Sequence, residues 1–181
     1  MTSSKRIILI DADVVSHFVT ANEADSLSLI FQQNPIHMLD KVHAELQRWA
    51  SPRMRSQVSD LLSKRKIRLM EFPEENNDIR IEYTRIKSML FKGDGESACL
   101  AVAKYQRTIL ASSNLRDIAN YCQMHRIDYL TTMDFLCEAL KTDLFDIDRC
   151  NRFITLILAA RGKLPVTKME DHICRAIDFL P

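Results

Sequence analysis

The chain has 181 residues, 46% hydrophobic and 27% charged, with a formal net charge of +1. That is enough chain for one domain of ordinary globular composition, 1–181, and too little net charge to argue for a nucleic-acid-coating or membrane-surface protein. The longest strongly apolar run, "FITLILAA" from Phe153, is far too short to span a bilayer, and no signal-peptide core follows Lys5 and Arg6, so a cytoplasmic protein is expected. Five cysteines, Cys99, Cys122, Cys137, Cys150 and Cys174, are widely spaced with no CxxC, which argues against zinc sites and a disulfide framework and for reduced thiols.

In chain order, residues 7–10 ("IILI") read as a buried strand that runs into Asp11-Ala12-Asp13, with a short helix expected from Val14 to about Val19. A second short helix is expected over 23–33, then a turn and brief strand in "NPIHML". From Asp40, Val42, Leu46 and Trp49 recur at helical spacing and place Glu45 on the same helix. Ser51-Pro52 is a cap followed by proline at the first helical position, restarting a helix through Val58, Leu61 and Leu62. "KIRLMEF" reads as a strand and "EENNDIRIEYTRIKSML" as a polar loop and long helix. Gly93 and Gly95 flank Asp94 ahead of a small-residue helix, "ESACLAVAKYQ". Strand, helix, strand and helix follow in "TILASS", "LRDIANYCQMHR", "IDYLTT" and "MDFLCEALKT". A strongly apolar helix after Asp146 and one more near the terminus complete the pattern. Strands alternating with such helices predict an α/β layered fold with a mainly parallel sheet.

In an open parallel sheet the functional crevice lies beyond the carboxyl ends of the strands, where Asp11 falls. An unpaired carboxylate there is costly, and the nearby cations Lys5 and Arg6 lie at the other end of the strand. The sequence supplies further acids at other joints: Glu45, Asp94, Glu96, and Asp117 after "SSN". Converging carboxylates are made compatible by a hard divalent cation, and oxygen ligands suit Mg²⁺ or Mn²⁺, which points to phosphodiester hydrolysis. Each acid also has a plain structural reading. Asp11 or Asp13 caps the next helix, Glu45 faces solvent, Glu96 complements a helix dipole, and the glycines form a tight loop.

The order strand-"DAD", "VHAELQRW", "GDGESACLAVA" and strand-"SSNLRD" resembles the PIN domain, a metal-dependent nuclease family that includes toxins of toxin-antitoxin pairs. The likeness covers about 7–140, leaving 146–181 as a helical C-terminal extension. It implies a three-layer PIN-like fold with a central, mainly parallel four- or five-stranded sheet. It also implies an endoribonuclease in which Asp11, Glu45 and Glu96 hold Mg²⁺ or Mn²⁺, with Asp117 as a further ligand. Asp13, Asp94, Ser112 and Asn114 support the site, and Glu96 is favoured over Asp94 as the third acid. Where the family commonly has Thr-x-Asp, this chain has Ser112 and Asn114, so a catalytically degenerate RNA- or protein-binding module is the alternative. Arg116 is the nearest candidate for a substrate phosphate, and Arg48, Arg53, Arg55, Lys64, Arg65, Lys66 and Arg68 against Asp60 form a basic stretch that would guide RNA or else a solvated face. The expected partners are single-stranded or structured RNA, an antitoxin protein and a second copy of the chain, with no membrane. "DADVV" also resembles the first motif of haloacid-dehalogenase-like phosphatases, but the Thr that continues that motif is missing.

Overall fold

The computed structural model describes residues 5–90 and 93–180, the side chain of Asp117 excepted. Its elements run β1 (Ile8–Ile10), α1 (Ala12–Thr20), a 3-10 turn (Ala24–Ser26), α2 (Leu27–Ile30), β2 (Ile36–Leu39), α3 (Asp40–Trp49), α4 (Pro52–Ser63) and β3 (Arg68–Met70). The second half continues with α5 (Asn77–Leu90), α6 (Asp94–Gln106), β4 (Ile109–Ala111), α7 (Leu115–His125), β5 (Tyr129–Leu130), α8 (Thr132–Lys141) and α9 (Ile147–Ala159). The strands form one five-stranded sheet in the order β3-β2-β1-β4-β5, and every pairing is parallel. Helices flank this sheet in a three-layer α/β arrangement.

A strand buried on both faces needs apolar side chains at every position rather than alternate ones. β1 is such a strand, with Ile8, Leu9 and Ile10 wholly inaccessible, and β4 beside it buries Ile109, Leu110 and Ala111. Phe18 of α1 packs edge-to-face against Phe135 of α8 and Phe153 of α9, with ring centroids 5.6 and 4.9 Å apart. Phe153, Ile154 and Ile157 are therefore core residues, which accounts for the apolar run as burial. Among the described residues no helix is long and apolar enough to cross a membrane.

The topology fixes where a site can form. Chain growth from β1 goes outward through β2 and β3, then returns to the other side of β1 with β4 and β5, so the order reverses between β1 and β4. Loops leaving the carboxyl ends of β1 and β4 part there and open a crevice. Asp11 follows β1, and Ser112 to Asn114 follow β4.

Two expectations are corrected. The helix expected near the terminus is a single 3-10 turn, Met169–Asp171, followed by irregular chain. That chain is held from outside instead: Arg175 donates to both carboxylate oxygens of Asp134 at 2.7 Å and to the Tyr129 carbonyl at 2.6 Å, and its guanidinium lies over the Tyr129 ring. Its backbone thus follows tertiary partners rather than a helical ladder. The cysteines are also not all free thiols, because Cys137 of α8 is bonded to Cys174, while Cys99, Cys122 and Cys150 are free and buried. Sequence spacing hid the pair because its members lie 37 positions apart.

Breaking this cross-link with Cys137→Ser is expected to lower unfolding stability by about 2–4 kcal/mol in denaturant titration. Thiol counting on the denatured wild type under non-reducing conditions should find three reactive cysteines; five would exclude the bond.

Candidate functional site

Asp11 is placed by β1 and then used by α1. Its N–H donates to the Ala111 carbonyl of β4 at 2.8 Å, and its side chain caps α1 by accepting from the Ala12 N–H at 2.8 Å. The capping reading is therefore correct for Asp11, yet the same carboxylate lines a pocket of about 480 Å³ with Asp13, Glu45, Glu96 and Asn114. Asp11 is only 7% exposed. Burial, then the charge of Asp13 and the weaker effects of Glu96 and Glu45, push its pKa well above the usual carboxylate range, against the opposing Ala12 N–H.

Asp13 is held by the loop after β4. One of its oxygens accepts from the Ser113 N–H at 2.7 Å and the Ser112 hydroxyl at 3.3 Å, and the other accepts from the Val14 N–H at 2.6 Å. Burial still raises its pKa. The loop is tied onward, since the Ser113 hydroxyl meets the Thr132 hydroxyl at 2.7 Å, which in turn meets His17 Nδ1 at 2.8 Å. Burial lowers the His17 pKa to about 4, so this ring is neutral at physiological pH.

Glu45 is not a solvent-facing helix acid. Its carboxylate sits across the first turn of α6 and accepts from the Gly95 N–H at 2.9 Å, an anion at a helix N-terminus. The glycines explain the approach. A Cβ on Gly93 would lie 3.0 Å from Glu45 Oε1, and one on Gly95 would lie 2.8 Å from Glu45 Oε2 and 3.0 Å from Val42 Cγ2. Neither has a positive φ, so the tight-loop reading fails and close helix packing replaces it.

Glu96 lines the pocket from α6 and accepts from the Asn114 amide at 3.1 Å. Asn114 is the N-cap residue of α7, but its side chain does not cap that helix. The other acid of the "GDGE" stretch points elsewhere: Asp94 binds Lys87, the Tyr83 hydroxyl at 3.0 Å and Arg48 at 3.3 Å, and the Lys87 hydrogen bond leads in lowering its pKa to about 2. Arg116 is exposed and outside the pocket lining, and the Asp117 side chain lies outside the described residues.

The structure thus brings Asp11, Asp13, Glu45, Glu96 and Asn114 to one pocket and leaves Asp94 and Arg116 out of it. Several lining residues escaped the sequence reading as site residues, among them His17, Trp49 and Arg161. His17 follows Asp13 by four residues on α1, a spacing that puts both on one helix face. Trp49 fits the apolar stripe of Val42 and Leu46, but those two are wholly buried while Trp49 is 56% exposed. Arg161 comes from the extension after α9 and had no local signal.

Among the described residues, no group of three or more His, Cys, Asp or Glu side chains is gathered closely enough to hold an ion. Glu45, Glu96 and Asp13 each accept hydrogen bonds from N–H groups of the protein itself.

No protein-family model matches the chain, and no curated protein does. Among solved structures, the fold matches a chain in the crystal structure of VapBC2 from Rickettsia felis bound to a DNA fragment from their promoter. The TM-score is 0.52 at 14% identity, covering 69% of this chain and 98% of that one. At that identity the match is one of fold, distant and over part of the chain.

Because the folded state raises the Asp11 pKa, it binds a proton more readily than the unfolded chain does, and stability falls as pH rises from the unfolded value through the folded one. Asp11→Asn keeps an N-cap and removes the charge. In metal-free buffer it should melt above the wild type at pH 7, with the gap closing as pH falls toward 4. Gly95→Ala weighs a helix-propensity gain of about 1 kcal/mol against overpacking of about 1–3 kcal/mol, because Val42 Cα would lie only 3.2 Å from the new Cβ. Net destabilisation is expected in denaturant titration; a stabilised variant would mean that α3 and α6 can part.

Proposed function

We propose that the protein is a PIN-like module that binds single-stranded or structured RNA across the acid-floored pocket, and that its carboxylate set falls short of a working metal centre. One observation carries the second half: a neutral amide, Asn114, stands at the position where the resembled family commonly has an acid, and it is spent as a donor to Glu96. A carboxylate there would add charge for a cation, whereas the amide removes it and stabilises Glu96 without one.

RNA as the ligand rests on the family resemblance and on charge that is left over beside the pocket. Arg48, Lys64 and Lys66 are paired with Asp94, Asp60 and Asp25, but among the described residues Arg53 and Arg55 bond only neutral oxygens, those of Asn22 and the Gln47 carbonyl. Such unneutralised guanidinium groups attract a phosphate backbone even on a chain of nearly zero net charge. The fold neighbour was solved as VapBC2 on promoter DNA, which supports a protein partner of antitoxin type for this chain as well.

A second reading, a Mg²⁺- or Mn²⁺-dependent endoribonuclease, is favoured by the raised Asp11 pKa, since buried like charges are what a cation would relieve. Thermal denaturation with and without millimolar Mn²⁺, on the wild type and Asp11→Asn, separates the two. The module predicts equal, small shifts in both proteins, with RNA retained in EDTA and left uncut. A rise of several degrees confined to the wild type would replace it with the nuclease, and no RNA binding in either condition would end both.

A further inference from the structure

Tryptophan is among the side chains with most to gain from burial, and this chain has one. That residue, Trp49, stands at the end of α3 with 56% of its surface exposed, on the wall of the acid-floored pocket. The stripe to which it belongs is buried at Val42 and Leu46, and α3 ends at Trp49 itself, so the indole is carried past the core to the pocket mouth. No aromatic ring or cation stacks on it among the described residues, although Phe72, Tyr83, Tyr105, Tyr129, Phe145 and others each hold one. Met54 of α4 adds a second apolar contact on the same lining.

The surroundings sort the parts of a nucleotide. The floor carries Asp11, Asp13, Glu45 and Glu96, which repel phosphate and leave a neutral, flat group as the better occupant. At the rim, Arg161 lines the pocket with no ion pair among the described residues, and Arg53 and Arg55 flank the lining residue Met54 in the sequence of α4. An indole beside guanidinium groups is the combination that binds single strands, stacking a base while the backbone runs over positive charge. The same rim opposes a basic peptide, the other ligand an acidic pocket would attract.

We propose that Trp49 is the stacking platform for one unpaired base, a nucleobase subsite at the mouth of the pocket. This rests on the RNA reading above and specifies the substrate as single-stranded at that point.

Because Trp49 is the sole tryptophan, its emission reports the contact directly. The full chain in EDTA is titrated with a fluorescein-labelled oligoadenylate of about eight nucleotides, within the site size of single-strand binders, with anisotropy and unlabelled-RNA quenching of Trp49 read in parallel. Binding is expected to quench the emission with the same midpoint as the anisotropy. A blunt RNA duplex of similar length, with no unpaired base, should quench little. Trp49→Ala should weaken the oligoadenylate roughly 5- to 150-fold, the equivalent of about 1–3 kcal/mol per stacked base, and Trp49→Phe should recover part of the loss. Both variants should keep the wild-type melting midpoint, since the side chain is largely exposed. Binding by anisotropy with unchanged emission and an unaffected Trp49→Ala would overturn the subsite and leave the RNA reading standing. Absence of RNA binding in all three proteins would overturn both. Quenching by an arginine-rich peptide but not by RNA, or emission that changes with protein concentration alone, would assign Trp49 to a protein contact instead.

Discussion

The contact on which the rest depends is the approach of α6 to Glu45. A helix N-terminus offers free N–H groups and partial positive charge, and the cheapest way to satisfy it from another element is a carboxylate aimed along its axis. Gly95 supplies the N–H and, by lacking a Cβ, the room. With that contact made, α3 and α6 close over the carboxyl end of β1, Glu96 follows into the pocket, and Asp11 is buried among acids. A side chain at Gly95 would press on the backbone of α3 at Val42, and one at Gly93 would crowd the Glu45 carboxylate itself.

The electrostatics of the pocket are uneven in a useful way. Asp11 has burial and like charges against it and one N–H in its favour. Asp13 has several donors from the loop after β4 but remains raised by burial. Asp94, two residues from Glu96, lies in a different environment and is held near its acid limit by Lys87, Tyr83 and Arg48. Adjacent carboxylates in one short stretch thus serve opposite ends: one neutralises surface cations at the junction of α3, α5 and α6, while the other faces the pocket.

Much of the architecture was legible because it rests on local patterns. A continuous apolar run marked β1, serine-proline marked the start of α4, and alternating strands and helices marked a parallel sheet. The site was legible to the extent that strand ends locate it, which placed Asp11 and Asp13 in the crevice, while Asn114 was named by resemblance. Glu45 was a candidate among other acids until the resemblance singled it out, since nothing in its helix distinguishes it from a solvent-facing acid. What escaped was set by distant partners. Trp49 obeys helical spacing yet emerges where the core ends, Arg161 reaches the pocket from a segment remote in sequence, and Cys137 and Cys174 meet only because the terminal chain folds back over α8. The glycines were noticed for the wrong reason: they permit proximity rather than a turn.

The bond between Cys137 and Cys174 has a topological consequence for the pocket. It converts residues 137 to 174 into a covalent ring, and α9 with Ala160, Arg161 and Gly162 lies inside that ring. The pocket wall contributed by the extension is therefore anchored at both ends to α8, through the chain on one side and through sulfur on the other. The sulfur bond fixes the far end of that ring independently of the Arg175 pairing just beyond it, so the extension behaves as a girdle of the domain.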